Sequence, residues 1–174
     1  MKKLILMMFL SSTAFAQAPM LPDRNVTPGV IIAHANKNVI CVSGYTSTVR
    51  NVPESVKKQV FDQYNIDPKT DKFEIDHLIS LELGGSNNIK NLWPQSYTTK
   101  PYNAHMKDAL ENQLHKLVCS GQLDLQTAQN AIASNWIEAY RKYINKFGEW
   151  VYRKICSVLF QCRKFSFVPA IPLY

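Results

Sequence analysis

The sequence predicts an α+β fold with a β-hairpin and a following helix at its centre, additional helices and a short N-terminal strand region. A glycine-rich turn at residues 84–88 separates two short apolar segments, which predicts the hairpin. Apolar residues recur at helical spacing in several segments before and after it. The hydrophobic content of 46% over 174 residues predicts a packed core rather than wholesale disorder.

The start of the chain is typical of a cleavable secretory signal peptide. Two lysines precede an apolar run at residues 4–10, and a small-x-small motif ends at Ala16. We therefore expect cleavage after Ala16, with Ala18 as the alternative, and export to the periplasm or to the outside of a bacterial-type cell. The apolar run is too short to span a bilayer, so no membrane span is expected.

The four cysteines suit disulfide bonds in that oxidising compartment. They are Cys41, Cys119, Cys156 and Cys162. Four cysteines allow three connectivities, and the sequence alone does not choose among them; we favour Cys41 with Cys119, and Cys156 with Cys162. A metal site is the weaker alternative because the chain has no CxxC pair.

The first part of the mature chain is predicted to be extended and then helical. Residues 17–38 form an extended lead-in, because they contain several prolines. Residues 39–42 and 45–49 are β-branched and aromatic, which predicts short strands or an irregular hairpin. A helix begins after Pro53 and continues to Tyr64, because its apolar residues follow helical spacing.

The second part contains the hairpin and three further helices. The outgoing strand is expected at residues 73–79 and the return strand at residues 89–93, which Pro94 ends. Helices are predicted at residues 103–119, at residues 124–133, and from an N-cap at Ser134 onwards.

The charge of the chain gives little information about its partners. The formal net charge is +7. Two of these charges lie in the signal peptide and three in residues 148–174, which leaves about +2 on the body of the protein. This mild excess is weak evidence for a polyanionic partner, so the function has to be argued from a site.

Polar residues with the chemistry of phosphodiester hydrolysis surround the hairpin. Residues 74–95 read EIDHLISLELGGSNNIKNLWPQ. A neutral imidazole can deprotonate water near pH 7, and a hard divalent cation with oxygen ligands can offset the charge on the phosphate. His77 supplies the base, and Asp76 and Asn103 supply oxygen ligands. Asn91 is placed to brace the loop that holds His77, through bonds to the backbone.

Asp76 and His77 are neighbours, and neighbours on a regular strand point to opposite faces of the sheet. The two side chains can share one site only where the strand bends or ends. The turn that follows them makes such an ending plausible.

This stretch resembles the HNH endonuclease family, whose shared element is a ββα-metal finger. The resemblance is carried by Asp76–His77, the loop at residues 81–85, Asn91–Leu92 and the helix start at residues 103–108. Further segments resemble a subgroup of small exported bacterial proteins: GYTSTVR, NLWPQ, VCSG and AQNAIA. Together the similar segments cover roughly residues 39–145.

The resemblance implies a ββα-metal (HNH) core and a metal-dependent endonuclease. It makes His77 the general base, Asp76 a metal ligand and Asn91 the loop-supporting residue. The remaining metal ligand on the helix is Asn103, with His105 as the second choice. Mg²⁺ suits these ligands best, and Mn²⁺, Ni²⁺ or Zn²⁺ can substitute. The substrate is a nucleic acid bound mainly through its phosphates, with DNA preferred to RNA.

Other assignments follow from this interpretation. The nuclease-like domain spans residues 17–147, and residues 148–174 form a basic aromatic C-terminal extension. Arg50 is a candidate phosphate clamp and Lys107 a candidate phosphate contact, although each is also explained as a surface charge. The competing functions are a catalytically inactive nucleic-acid-binding module and an envelope interaction module. The sequence does not specify the oligomeric state.

Overall fold

The computed structural model describes residues 20–145 of the chain. The predicted signal peptide, the predicted Cys156–Cys162 disulfide and the C-terminal extension at residues 148–174 lie outside the described residues.

The described residues combine helices with one small antiparallel sheet, which confirms the α+β prediction in its general form. The helices are α1 (Lys37–Ile40), α2 (Tyr45–Val49), α3 (Glu54–Gln63), α4 (Ala104–Cys119) and α5 (Leu125–Tyr140). The strands are β1 (Phe73–His77) and β2 (Leu92–Ser96). Short 3₁₀ turns lie at Leu81–Leu83 and Ile89–Asn91, and a π-helical turn at Arg141–Asn145 follows α5.

The predicted N-terminal strand region is wrong, because both of its segments are short helices. Asn36 caps α1 by accepting a hydrogen bond from the Val39 amide. Gly44 precedes α2 with a φ of 79°, a left-handed conformation that glycine adopts easily. Ile40 and Tyr45 are buried by this arrangement. Caps and burial therefore outweigh the β propensity of these segments.

The hairpin is present, but its return strand begins later than predicted. The strands pair antiparallel, with Asp76 opposite Trp93 and His77 opposite Leu92. The 3₁₀ turn at Ile89–Asn91 occupies most of the segment that was expected to be a strand. Pro94 lies inside β2, opposite Ile75, and does not end it. A proline is tolerated there because β2 has a paired neighbour on one side only.

The helices predicted from periodicity are present, with one difference at α5. Residues 125–140 contain two helical segments, as predicted, and they meet at Asn135, whose φ of −162° and ψ of 97° are not helical. The Asn135 side chain accepts hydrogen bonds from the amides of Ile137 and Glu138. The second helical segment is therefore capped by Asn135 rather than by Ser134.

The core lies where α4 packs against α5 and against the 3₁₀ turn after β1. Its fully buried members come from all these elements and include Leu83, Trp93, Leu110, Leu114, Val118, Ile132 and Trp136. Burying such side chains contributes about 1.5 to 3 kcal/mol each, which holds α4 firmly beside the hairpin.

A disulfide joins Cys41 to Cys119, as predicted. It links the end of α1 to the last residue of α4 across 78 positions of sequence. Such a disulfide is typical of proteins outside the cytoplasm. Among residues 20–145, no helix combines the length and the apolar character needed to cross a membrane.

Candidate active site

Asp76 and His77 are the last two residues of β1, where they pair with Trp93 and Leu92 of β2, so their side chains start on opposite faces of the strand. The amide of Leu78, the next residue, donates to the carbonyl of Asn91 at 2.7 Å as the chain leaves the sheet. On α4, Lys107 reaches both residues: its ammonium lies 2.6 Å from Asp76 Oδ2 and donates to the His77 carbonyl at 2.8 Å. The hairpin and α4 therefore meet at this pair.

The His77 ring is buried and held in one orientation by Asn87. Its Nε2 lies 2.9 Å from Asn87 Oδ1, and Asn87 Nδ2 donates to the Val49 carbonyl at 2.7 Å. Because the amide nitrogen of Asn87 is engaged with Val49, its oxygen faces the ring and Nε2 carries the proton. In the neutral ring, Nδ1 then holds the lone pair that can accept a proton.

The surroundings of His77 favour the neutral ring. Burial lowers the pKa of His77 below its ordinary value of 6.5, against opposing effects from the Asn87 hydrogen bond and the Asp76 charge. A neutral imidazole at pH 7 can act as a base. Within residues 20–145, Nδ1 makes no hydrogen bond that would occupy its lone pair.

Asn91 is fully buried and connects the segment after His77 to the glycine-rich turn. Its Oδ1 accepts from the amides of Ile79 at 3.0 Å and Val30 at 3.3 Å. Its Nδ2 donates to the carbonyls of Ile79 at 3.0 Å and Ser86 at 2.9 Å. This is the backbone bracing expected of the residue, and it places Asn91 behind the site rather than in it.

The glycine-rich turn can approach the chain after His77 only because Gly85 has no side chain. A Cβ at Gly85 would lie 1.7 Å from the Ile79 carbonyl oxygen, which is far inside van der Waals contact. The same turn carries Asn87, the partner of the His77 ring. The glycine therefore contributes to holding the ring in place.

Lys107 is fully buried, so its prediction as a phosphate contact on the helix surface is wrong. Besides Asp76 and the His77 carbonyl, it pairs with Glu111, which also accepts from Ser80. Burial alone would lower the pKa of Lys107, but the carboxylates of Asp76 and Glu111 outweigh it and raise the pKa. The ammonium therefore stays charged.

Glu111 is a weak acid in this cluster. Burial raises its pKa to about 7, against the attraction of Lys107. The carboxyl therefore takes up a proton more readily than an exposed glutamate, and the charge of the cluster varies with pH.

The two ligand candidates at the start of α4 differ in their surroundings. Asn103 is the N-cap residue, whose Oδ1 accepts from the Met106 amide at 3.3 Å. Its backbone is extended, with φ of −136° and ψ of −178°, so it lies outside the helix proper. His105 is exposed, and its ring packs against that of Tyr97 with centroids 4.8 Å apart. The choice of Asn103 over His105 as a partner of Asp76 stays a prediction.

Two further acidic residues near Asp76 were not predicted as site residues. Glu74 lies two positions before Asp76, and this period-2 spacing on a strand places both on one face of β1. The pKa of Glu74 is raised, first by burial and also by the Asp76 charge. Burial and Asp76 likewise raise the pKa of Asp108 on α4. The strand spacing was the one signal that could have identified Glu74.

The donor set around Asp76 fits a hard divalent cation in chemistry and charge. Carboxylates outnumber cationic side chains here, and Glu74 Oε1 is buried without a hydrogen bond. Asp76 Oδ2 keeps its ion pair with Lys107, which leaves Asp76 Oδ1 for another cation. One carboxylate oxygen, the Asn103 amide oxygen and waters are ligands that Mg²⁺ accepts.

Within residues 20–145, one group of three His, Cys, Asp or Glu side chains has its possible metal-ligand atoms within 4.8 Å of one another, and this group does not include Asp76. It consists of Cys41, His115 and Cys119. Asp76 is therefore not part of a dense ligand cluster of these residue types, and water would complete its coordination shell.

Arg50 is exposed at the end of α2, next to the carbonyl that holds Asn87. It makes no ion pair within the described part of the chain. Its positive charge contributes to lowering the pKa of His77, after the larger effect of burial. The guanidinium is therefore within electrostatic range of the imidazole and available to an anion.

No protein-family model matches the chain, and neither does any curated protein sequence or solved structure. The function therefore has to be argued from the geometry of this site and from the motifs in the sequence.

Proposed function

We propose that the protein is an exported, metal-dependent HNH-type endonuclease that hydrolyses nucleic-acid phosphodiesters. The observation that carries the proposal is the hydrogen bond between His77 Nε2 and Asn87 Oδ1. It leaves Nδ1 as the proton acceptor of a neutral imidazole, at the residue that follows Asp76 in the chain. The resemblance of residues 74–95 and of the start of α4 to the HNH family supports the same assignment.

In this mechanism, His77 Nδ1 accepts a proton from a water molecule as that water attacks the phosphorus. The new phosphorus–oxygen bond forms as the bond to the leaving oxygen breaks. Asn87 keeps the ring in the required tautomer, and Asn91 keeps the loop in position. General-base catalysis of this kind contributes about 10² to 10⁴ in rate.

Asp76 and Asn103 are the residues that would hold the divalent cation, with Mg²⁺ preferred and Mn²⁺, Ni²⁺ or Zn²⁺ as substitutes. When bound, the cation offsets the negative charge that develops on the phosphate and the leaving oxygen. Lys107 orients the Asp76 carboxylate by pairing with Oδ2.

The substrate in this proposal is a nucleic acid held through its phosphates. Arg50 is an exposed cation next to Val49, whose carbonyl ends the His77 hydrogen-bond chain, and its planar guanidinium suits a phosphate. Contacts of this kind carry little sequence information, so we propose a nuclease with weak sequence preference and DNA as its main substrate.

One observation favours a second candidate, a catalytically inactive nucleic-acid-binding or envelope interaction module on the same fold. The ammonium of Lys107 already lies 2.6 Å from Asp76 Oδ2 and partly neutralises the proposed metal ligand. An inactive module would retain nucleic acid or another partner without cleaving it in the presence of any metal.

The experiment compares cleavage by the oxidised chain, residues 17–174, with cleavage by His77→Ala and His77→Gln. Plasmid DNA and RNA are incubated with Mg²⁺, Mn²⁺, Ni²⁺, Zn²⁺ or EDTA. His34→Ala is the matched control, because His34 is exposed in a loop before α1. We expect metal-dependent cleavage by the parent chain and by His34→Ala, and a loss of at least about 100-fold in both His77 variants.

Circular dichroism and thermal unfolding show which variants are folded. A folded parent chain that cuts neither polymer with any metal, or a His77→Gln variant that cuts at the parent rate, contradicts the proposal. A gel-shift on the same samples then tests the inactive-module candidate.

A further inference from the structure

A second cluster of metal-ligating side chains lies away from the candidate active site, where α1 meets the end of α4. Cys41, His115 and Cys119 each offer a ligand atom, and these atoms all lie within 4.8 Å of one another. All three side chains are partly exposed, so reductants and metal ions can reach them. In the structure the two cysteines form the disulfide.

His115 has the hydrogen bond of a metal-ligating histidine. Its Nε2 lies 3.1 Å from the Ile40 carbonyl oxygen, which can only accept, so Nε2 carries the proton. Nδ1 therefore holds the lone pair. Histidines that bind metals usually donate their other ring N–H to a carbonyl or a carboxylate in this way, which fixes the tautomer and the ring orientation.

The backbone also places the three residues for joint coordination. His115 and Cys119 are four positions apart on α4, and therefore lie on one face of the helix. Cys41 follows α1, and its amide donates to the Lys37 carbonyl at 3.1 Å. A tetrahedral zinc site places its ligand atoms about 3.3 to 3.8 Å apart. Small side-chain movements are enough to reach that spacing.

We propose that Cys41, His115 and Cys119 bind Zn²⁺ when the disulfide is reduced. The end of α1 is then linked to the end of α4 by either a disulfide or a zinc ion. A thiol or phosphine reductant supplies two electrons, the sulfur–sulfur bond breaks, and two thiols form with the uptake of two protons. Zn²⁺ then replaces those two protons and bonds to both thiolates and to His115 Nδ1, with water as the fourth ligand.

The ligand chemistry separates this site from the one at Asp76. Thiolates are soft ligands that select zinc over magnesium, whereas the oxygen ligands near Asp76 suit hard cations. The zinc proposal does not depend on the nuclease proposal, because the two sites share no residue. In a reducing compartment, zinc would take over the connection between α1 and α4 that the disulfide makes in an oxidising one.

The test uses residues 17–174 with Cys156→Ser and Cys162→Ser, so that Cys41 and Cys119 are the only cysteines present. The metal-free chain is prepared oxidised and, separately, reduced with a phosphine under anaerobic conditions. Zinc affinity is measured by competition with a chromogenic chelator. Binding of Co²⁺ is followed by the thiolate-to-metal charge-transfer band, which appears only if sulfur is a ligand.

We expect about one more Zn²⁺ per reduced chain than per oxidised chain, a charge-transfer band with Co²⁺ and a higher Tm with zinc. The oxidised chain should bind zinc at this junction at least about 100-fold more weakly, because its sulfurs are not thiolates. The matched pair is His115→Ala and His34→Ala. Loss of a ligand should weaken zinc binding by at least about 100-fold in the first and leave the second unchanged.

Equal zinc affinity in the oxidised and reduced chains overturns the proposal, and so does a His115→Ala variant that binds as tightly as His34→Ala. Circular dichroism shows whether the reduced, metal-free chain has lost its fold. Refolding of that chain on addition of zinc supports the site, whereas a reduced chain that stays unfolded with zinc overturns it.

Discussion

The ammonium of Lys107 donates to the main-chain carbonyl of His77, 2.8 Å away, and so ties the first turn of α4 to the last residue of β1. The same ammonium pairs with Asp76 and Glu111 in a fully buried position. The ammonium has no solvent to replace a lost partner, and the two carboxylates have little. The position of the proposed base therefore depends on an ion cluster, and this dependence can be tested.

Replacing Lys107 with methionine should destabilise the protein by about 3 to 5 kcal/mol, because it leaves two buried carboxyl groups without their cation. The free energy of unfolding is measured by urea denaturation. Lys116→Met is the matched control on the same helix, since Lys116 is exposed, and it should change stability by less than about 0.5 kcal/mol. Equal stability of the two variants would show that the cluster contributes nothing.

The stability should also depend on pH through Glu111. Its pKa is raised from 4.5 to about 7, so the native state keeps a proton that the unfolded chain loses between these values. The contribution of this residue to the free energy of unfolding therefore falls as the pH rises from 4.5 to about 7, and is constant above that range. The decrease should be roughly 1 to 3 kcal/mol.

Glu111→Gln should remove this part of the pH dependence, because glutamine does not titrate. Urea denaturation between about pH 5 and pH 8 gives the difference between the parent chain and the variant at each pH. Glu138→Gln, at an exposed position on α5, serves as the control and should follow the parent profile. A Glu111→Gln profile parallel to that of the parent chain contradicts the prediction.

The fold could be predicted where local patterns decide it. Helical periodicity identified α3 and α4, turn residues identified the hairpin, and Cys41 with Cys119 was the favoured disulfide. The segment from residue 39 to 49 was misassigned, because its caps and the burial of Ile40 and Tyr45 depend on what packs against it. Strand propensity carries no information about those tertiary contacts.

The candidate site could be predicted only in part, for the same reason. Asp76, His77 and Asn91 follow from residue type and order along the chain. The role of Asn87 depends on the Val49 carbonyl, 38 positions away, and no local pattern shows that bond. Burial of Lys107 likewise results from Asp76 and Glu111 meeting across two elements. Long-range polar contacts of this kind require the three-dimensional arrangement.

Asn91→Ala should destabilise the fold by about 3 kcal/mol or more, because it removes the partners of several buried backbone groups. The affected groups include the amide and carbonyl of Ile79. Thermal and urea unfolding measure the loss. Asn112→Ala is the control, because Asn112 is exposed and bonds only to a carbonyl of its own helix. A similar stability for both variants would contradict the bracing role.

Asn87→Ala should slow cleavage by about tenfold or more, because the His77 ring loses the group that fixes its tautomer and orientation. The Asn87 hydrogen bond also raises the pKa of His77 against the larger effect of burial. Its loss should therefore move the acidic limb of the pH–rate profile to lower pH. Asn112→Ala, at an exposed position on α4 where the amide bonds only to a carbonyl of its own helix, should leave both the rate and the profile unchanged.

Arg50→Ala should act on the same profile in the opposite direction. Burial is the main cause of the low pKa of His77, and the Arg50 charge lowers it further, so removing that charge raises the pKa and moves the acidic limb to higher pH.

If Arg50 also holds a phosphate, KM should rise by about tenfold with kcat nearly unchanged, and the salt dependence of binding should become shallower by about one unit of slope. Lys58→Ala, at an exposed position on α3, tests whether any lost surface charge has this effect. Opposite shifts of the acidic limb in the Asn87 and Arg50 variants are the result expected if His77 titrates in the rate, whereas general destabilisation would move both profiles alike. Identical shifts would therefore remove His77 from the role of base, even if both variants were slow.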